Sequence, residues 1–218
     1  RERELAEKSD LIMVASDVWA DKFPSDVTKV MPHGVDYDLF STPAPRAVDL
    51  PNDGRPIAGF YGSLSEWLDI DLMVEVANKL PEWWFVFIGD PAVDVSALQA
   101  CDNVKLLGSR PHHELPSYSQ HWTVSMLPFV DNAQIRACNP LKLREYLAAG
   151  RPIVSTPFPA MFAYGELIKS VDSVDGMVVA LQMQAAGIGH NTEAMRAAVA
   201  DHSWQARAAR ISNWLESL

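Results

Sequence analysis

Apolar runs of strand length recur along the chain, at Leu11–Ala15, Ile57–Tyr61, Trp84–Ile88, Val104–Leu107, Thr123–Leu127 and Ile153–Ser155. They are near-continuous rather than alternating, the pattern of strands buried on both faces. Segments of helical period lie between them. Leu68, Leu72, Val76 and Leu80 recur every fourth residue and mark one apolar helix face. The alternation predicts an α/β fold, a Rossmann-like doubly wound parallel sheet with helices on both faces.

Between Ser41 and Pro56 this rhythm breaks. Pro43, Pro45, Pro51, Pro56 and the triplet Asn52-Asp53-Gly54 mark irregular backbone, so residues 41–56 read as a linker. It divides residues 1–40 from a compact unit over residues 57–218. Residues 1–40 hold a strand at Leu11–Ala15, a helix and a short strand at Lys29–Met31. That is too little for a domain and reads as the tail of another Rossmann domain. The chain opens on Arg1-Glu2-Arg3-Glu4 in what reads as mid-helix, so a piece of a longer enzyme is expected; a processed or tagged terminus is the alternative. At the other end Ser203 is placed to cap a helix. Its stripe of Trp204, Ala208, Ile211 and Leu215 is expected to dock on the main unit or to return to the other domain.

A 48% hydrophobic content over 218 residues supplies a sizeable core, and 21% charged residues argue against wholesale disorder. A net charge of −10 disfavours nucleic acid as a partner. The charge is uneven: Val104–Arg151 carries about +3 and the remainder about −13. That basic stretch suits a small anionic ligand, or reflects chance clustering on solvated faces. Cys101 and Cys138 show neither metal spacing nor a disulfide framework, which fits a reducing compartment and hence the cytoplasm. No apolar run reaches the length of a membrane span. Association with the inner face of a membrane through another segment stays compatible with this.

The most informative segment is Asn139-Pro140-Leu141-Lys142-Leu143-Arg144-Glu145-Tyr146-Leu147-Ala148-Ala149-Gly150-Arg151-Pro152. Asn139 is expected as N-cap and Pro140 at the first helical position, with Gly150 as the stop. The free amides of Leu141 and Lys142, with the helix dipole, favour an anion, and in an α/β fold a diphosphate. Glu145 lies one turn deeper on the same face. It is placed either to accept a vicinal diol such as ribose or to pair with Lys142 on a solvated face. Gly62 permits a tight turn after a strand and a close approach by phosphate, or is merely a turn. Arg110-Pro111 follow the strand Val104–Leu107 at the edge where such sheets bind ligands, unless Arg110 is simply solvated. Asp36 and Asp69 read as helix caps rather than as parts of metal-binding Asp-x-Asp motifs. His112-His113 lack a convergent third ligand for a metal. Cys138 reads as a small packing residue.

The segment from Asn139 resembles the C-terminal donor-site signature of glycosyltransferase family 4 and its GT-B relatives. Three further stretches agree in order and spacing. Ser9–Ser16 followed by Val30-Met31-Pro32-His33-Gly34-Val35-Asp36 resembles the end of the family's N-terminal domain and its crossing into the hinge. Gly59–Asp69 resembles the first strand and phosphate-side loop of the donor domain. Phe87-Ile88-Gly89-Asp90 and Val104–Gly108 resemble the next two strands with their loops. Among relatives the likeness is greatest to bacterial enzymes of surface polysaccharides.

The resemblance implies a hexose transferred from a nucleoside diphosphate sugar, a UDP-sugar in first place, to an acceptor hydroxyl. It also implies retention of configuration, no metal and no cofactor. It assigns the donor to Gly62, Ser63, Gly89, Asp90, Arg110, Pro111, Asn139, Pro140, Leu141, Lys142 and Glu145, and leaves the acceptor and any acceptor base to the N-terminal domain. This piece alone is expected to turn over little or nothing. Two departures stand out. The family's first glutamate falls on Ala137, so Asn139 or the backbone near Cys138 is left to meet the sugar. Where many relatives carry an arginine and a lysine, this chain has Ser63 and Glu66-Trp67, so Lys142, the helix N-terminus or Arg136 must neutralise the diphosphate. A degenerate, non-catalytic binding or scaffold module is the alternative. A sugar-nucleotide epimerase on the same fold would need a further acid–base set.

Overall fold

The computed structural model describes all of residues 1–218. Two strands, β1 (Ile12–Val14) and β2 (Thr28–Val30), pair in parallel as a small sheet of their own. The remaining strands are β3 (Ile57–Tyr61), β4 (Trp84–Ile88), β5 (Val104–Leu106), β6 (Val124–Leu127), β7 (Ile153–Ser155) and β8 (Lys169–Ser170). They form an all-parallel sheet in the order β5-β4-β3-β6-β7-β8. The chain winds outward from β3 to β5, then returns to lay β6 against the other side of β3. The order therefore reverses between β3 and β6, where open α/β sheets bind ligands.

Every residue of β3, β4, β6 and β7 is buried, as continuous apolar runs require. One set of helices, Ile70–Lys79, Ser96–Gln99 and Val174–Ala185, packs together; a second, Tyr37–Ser41, Pro116–Ser119, Leu141–Ala149 and Thr192–Ala197, does likewise. The expected doubly wound parallel sheet is what the chain forms. Observed strands are trimmed by a residue at several ends, and β8 was not anticipated.

Local signals explain most helix starts. Asp69 accepts a hydrogen bond from the Leu72 amide at 3.0 Å, and Asp36 from Leu39 at 3.2 Å. Ser203 accepts from Ala206 at 3.1 Å. The helix that follows, Trp204–Glu216, does not bury the expected stripe. Arg207 is its one buried residue, whereas Trp204, Ala208 and Leu215 are exposed. Trp204 instead leans on Gly34, where an added Cβ would meet its ring at 2.6 Å. The Val35 amide donates to the His202 carbonyl at 2.9 Å, so the two ends of the chain meet there.

Residues 41–56 lie strapped along the larger sheet. The Gln120 amide donates to the carbonyls of Phe40 and Thr42, both at 2.8 Å, and its Oε1 accepts from the Ala44 amide at 2.9 Å. Ala47 donates to the Ser117 carbonyl at 3.0 Å, and Leu50 is buried.

Behind β3 the core is aromatic. Gly59 leaves room for Trp122, whose ring would lie 1.8 Å from an added Cβ. The Tyr61 and Tyr146 rings meet edge to face at 4.8 Å. The Tyr146 hydroxyl accepts from the Tyr61 amide at 3.0 Å, tying the helix Leu141–Ala149 to the end of β3. Tyr146→Phe strands that buried amide, and a loss of about 1–3 kcal/mol in urea unfolding is expected. A wild-type midpoint would show that the hydroxyl contributes nothing there.

Candidate functional site

A cleft of about 310 Å³ opens at the C-terminal ends of β3, β4 and β5, lined among others by Tyr61, Gly62, Ser63, Gly89, Asp90 and Arg110. Two glycines shape its floor. Gly62 has φ +131° and Gly89 φ +145°, conformations that side chains other than hydrogen rarely adopt. An added Cβ on Gly89 would lie 2.1 Å from the Gly62 carbonyl oxygen. The Gly62 amide donates to Ile88 at 2.8 Å and the Gly89 amide to Gly108 at 3.0 Å, so the three strand ends turn in step.

Lys142 reaches this floor from the helix Leu141–Ala149. Its Nζ would be 2.2 Å from a Cβ on Gly62 and lies 4.3 Å from the centre of the Phe60 ring. Burial lowers the ammonium to about 8, against a weaker upward pull from Glu145 and Cys138. The amides of Leu141 and Lys142 begin the same helix and have no acceptor within it.

Glu145 does not pair with Lys142 on a solvated face. It is 7% exposed, and its Oε1 lies 2.8 Å from His112 Nε2. The His112 ring in turn packs edge-on against Phe40 at 5.3 Å. The buried Tyr61 hydroxyl has no hydrogen-bond partner, and burial first, then the Glu145 charge, push its pKa well above the usual phenol range, so it stays protonated. Arg110 is partly exposed but not free. It donates to Asp49 at 2.6 Å and to the Tyr118 hydroxyl at 3.0 Å, a lock between residues 41–56 and the cleft wall. Pro111 opens the short turn His112–Glu114 that carries His112 toward Glu145. Ser63 Oγ lies 2.6 Å from Ser65 Oγ.

The expected cap at Asn139 is not formed. Pro140 has ψ 132°, outside the helix, and itself occupies the capping position. Asn139 stands one residue too early and is taken by tertiary partners. Its Nδ2 donates to the Ala15 carbonyl at 3.0 Å and its Oδ1 accepts from Arg144. Ser16 Oγ donates to the Ala137 carbonyl at 2.9 Å. Asn139 thus faces away from the cleft lined by Gly62 and Gly89. Arg136, a candidate for neutralising phosphate, is held by Asp131 through two bonds of 2.6 Å. Cys138 is half-buried, and burial pushes its thiol up to about 11, an unreactive packing residue.

The cleft thus joins Gly62, Ser63, Gly89, Asp90 and Arg110, with Lys142 above Gly62 and Glu145 beside Tyr61. His112 and Tyr61 were not among the expected site residues. The one signal for His112 was its place just after the β5 turn at Gly108, on the ligand edge of the sheet.

A family model described as glycosyl transferases group 1 matches residues 55–201. TuaH of Bacillus subtilis strain 168, named as a glycosyltransferase of teichuronic acid biosynthesis, is 30% identical over 171 residues, which cover 73% of this chain and 43% of TuaH. Sucrose-phosphate synthase from Thermosynechococcus elongatus superposes with a TM-score of 0.78 at 19% identity, over 99% of this chain and 60% of that one. Anabaena HepE, solved with UDP and glucose, gives 0.74 at 16% identity, over 99% of this chain and 65% of HepE. The chain therefore spans less than two thirds of these relatives. The matched residues take in every strand of the larger sheet and both glycine turns of the cleft: the chain belongs to the glycosyl transferases group 1 family, on the GT-B fold.

Proposed function

We propose that the cleft holds the nucleoside diphosphate of a sugar donor, a UDP-sugar in first place. In this reading the whole protein transfers its hexose to an acceptor hydroxyl with retention and without a metal, in polysaccharide or glycoconjugate assembly. The observation that carries the reading is the Lys142 ammonium. It stands over the Gly62 turn beside free helix amides, with no carboxylate paired to it, at the point where the strand order reverses. A diphosphate supplies the missing counter-charge.

The Gly62, Ser63 and Gly89 backbone, with Asp90 at the rim, accommodates the phosphates. Arg110 and Pro111 flank the base, and Glu145 turns from His112 to the ribose diol. Asn139 and Pro140 set the entry of the helix rather than touching the donor. Fixed dipoles around the departing diphosphate do the chemical work. Ala137 offers no carboxylate to the sugar; in this reading the acceptor and any acceptor base fall to the N-terminal domain, as the family resemblance implies. No helix is long and apolar enough to cross a membrane; the proposed setting is the cytoplasm, at the inner face of the membrane.

Calorimetry with UDP, GDP and ADP tests the assignment. UDP is expected to bind most tightly, and Glu145→Ala to weaken it about tenfold or more, the scale of a lost charged hydrogen bond. Binding of none of the three, or an unchanged affinity in Glu145→Ala, sinks it. A second reading, a non-catalytic binding module, is favoured by Ala137 and by the engagement of Arg110 and Arg136 with Asp49 and Asp131. Product formation by the full-length protein separates the two.

A further inference from the structure

A larger cavity, about 670 Å³, lies on the other side of the loop Ala137–Pro140 and shares no lining residue with the cleft described above. It is bounded by the β1 and β2 ends, by Pro159–Leu167 and by the C-terminal helix. Its walls are cationic. Arg144 and Arg207 are 4% and 8% exposed, and the Nε of each is buried without a hydrogen-bond partner, as is Nδ1 of His202. Arg210 adds a third guanidinium, and Arg136 a fourth that Asp131 already holds.

Acidic residues outnumber basic ones in this chain by 28 to 18, yet Asp17 is the sole carboxylate among the residues lining the cavity, and it forms no ion pair with Arg144 or Arg207. Burial, followed by the charges of Arg207 and Arg144, holds His202 below the usual imidazole range; burial and then Arg144 do the same to His33. Arg144 donates one hydrogen bond to Asn139, but neither buried guanidinium has a carboxylate partner, and such charges oppose folding unless something in the cavity offsets them. Their planar forks match the oxygens of a phosphate or carboxylate.

We propose that Arg144 and Arg207 form an oxyanion-binding site, separate from the donor cleft, that takes the phosphate or carboxylate of a ligand of monosaccharide size. The volume is in the range of small-molecule pockets. Arg144, Arg207 and His202 line this one cavity near enough for their charges to act on one another, and Tyr164 and Ala160 line it beside them.

The test is titration of the chain with inorganic phosphate, glucose 6-phosphate, glucuronate and, as neutral control, glucose, each without UDP and again in excess UDP. At least one anionic sugar is expected to bind and glucose to fail; the stronger of the phosphate and carboxylate probes identifies the group. Arg207→Gln is expected to weaken that binding tenfold or more, Arg207→Lys to restore part of it, and neither to change the affinity for UDP. Should Arg207→Gln unfold, Arg210→Gln, at an exposed position, is expected to weaken binding severalfold with an unchanged melting temperature. The proposal is overturned if no anionic probe binds, if the variants bind like wild type, or if UDP displaces the probe. Because UDP binding is read separately, failure of the donor assignment leaves this outcome intact.

Discussion

Lys142→Met is expected to lower the affinity for UDP about a hundredfold while making the unliganded chain more stable. The two effects share one cause. The Lys142 ammonium is held against Phe60 and Phe129 with burial lowering it to about 8, against about 10.4 in an unfolded chain. Keeping the charge there costs at most about 3 kcal/mol at neutral pH. Methionine fills similar space without the charge, so a gain of about 1–2 kcal/mol in urea unfolding at pH 7 is reasonable. The sign with pH follows. Below pH 8 both folded and unfolded wild-type chains carry the proton and the penalty is complete. Between pH 8 and about 10.4 the unfolded chain holds more protons, so wild-type stability rises and the advantage of methionine fades. Donor binding runs the other way, since a bound diphosphate favours the charged amine. Wild-type affinity should fall above pH 8, with proton uptake visible in buffers of different ionisation enthalpy. A variant that binds UDP like wild type, or that melts below it, contradicts this account.

Gly89→Ala is expected to destabilise the chain by about 4 kcal/mol or more, enough to prevent recovery of folded protein. Its φ of +145° is hostile to any side chain, and the new methyl would meet the Gly62 carbonyl oxygen at 2.1 Å, a backbone atom with no rotamer to retreat to. Gly187→Ala serves as the comparison. It also has positive φ, at +73°, but nothing stands within 4 Å, so only the left-handed strain of about 1–2 kcal/mol remains. Similar melting curves for the two variants would mean that the crossing of the Gly62 and Gly89 turns is unimportant.

How far the sequence speaks depends on whether a residue's fate is decided locally. β3, β4 and β7 were legible to the residue because burial on both faces demands an unbroken apolar run. β8 was not, since Lys169 and Ser170 are exposed at the sheet edge and carry no such run. Asp36, Asp69 and Ser203 cap as their side chains prefer. Asn139 has the same preference, but the Ala15 carbonyl and Arg144 compete for it, and Pro140 shifts the helix start. The surface-pair reading of Lys142 and Glu145 assumed a solvated helix face. From Leu143 to Ala149 the helix is buried all round, so the two side chains diverge to Gly62 and His112. The prolines between Ser41 and Pro56 reveal irregular backbone, but not that Gln120, His121 and Arg110 pin it in place.

The two hydrogen bonds that Ser16 and Asn139 make across the junction have a thermodynamic corollary. The loop Ala137–Pro140 both leads into the helix beneath the cleft and holds the end of β1. If a ligand over Lys142 binds one setting of that loop better than another, it also selects the position of Ala15 and Ser16. Linkage then makes the exchange reciprocal: whatever grips the N-terminal strands must change the ligand's affinity by the same factor that the ligand changes theirs.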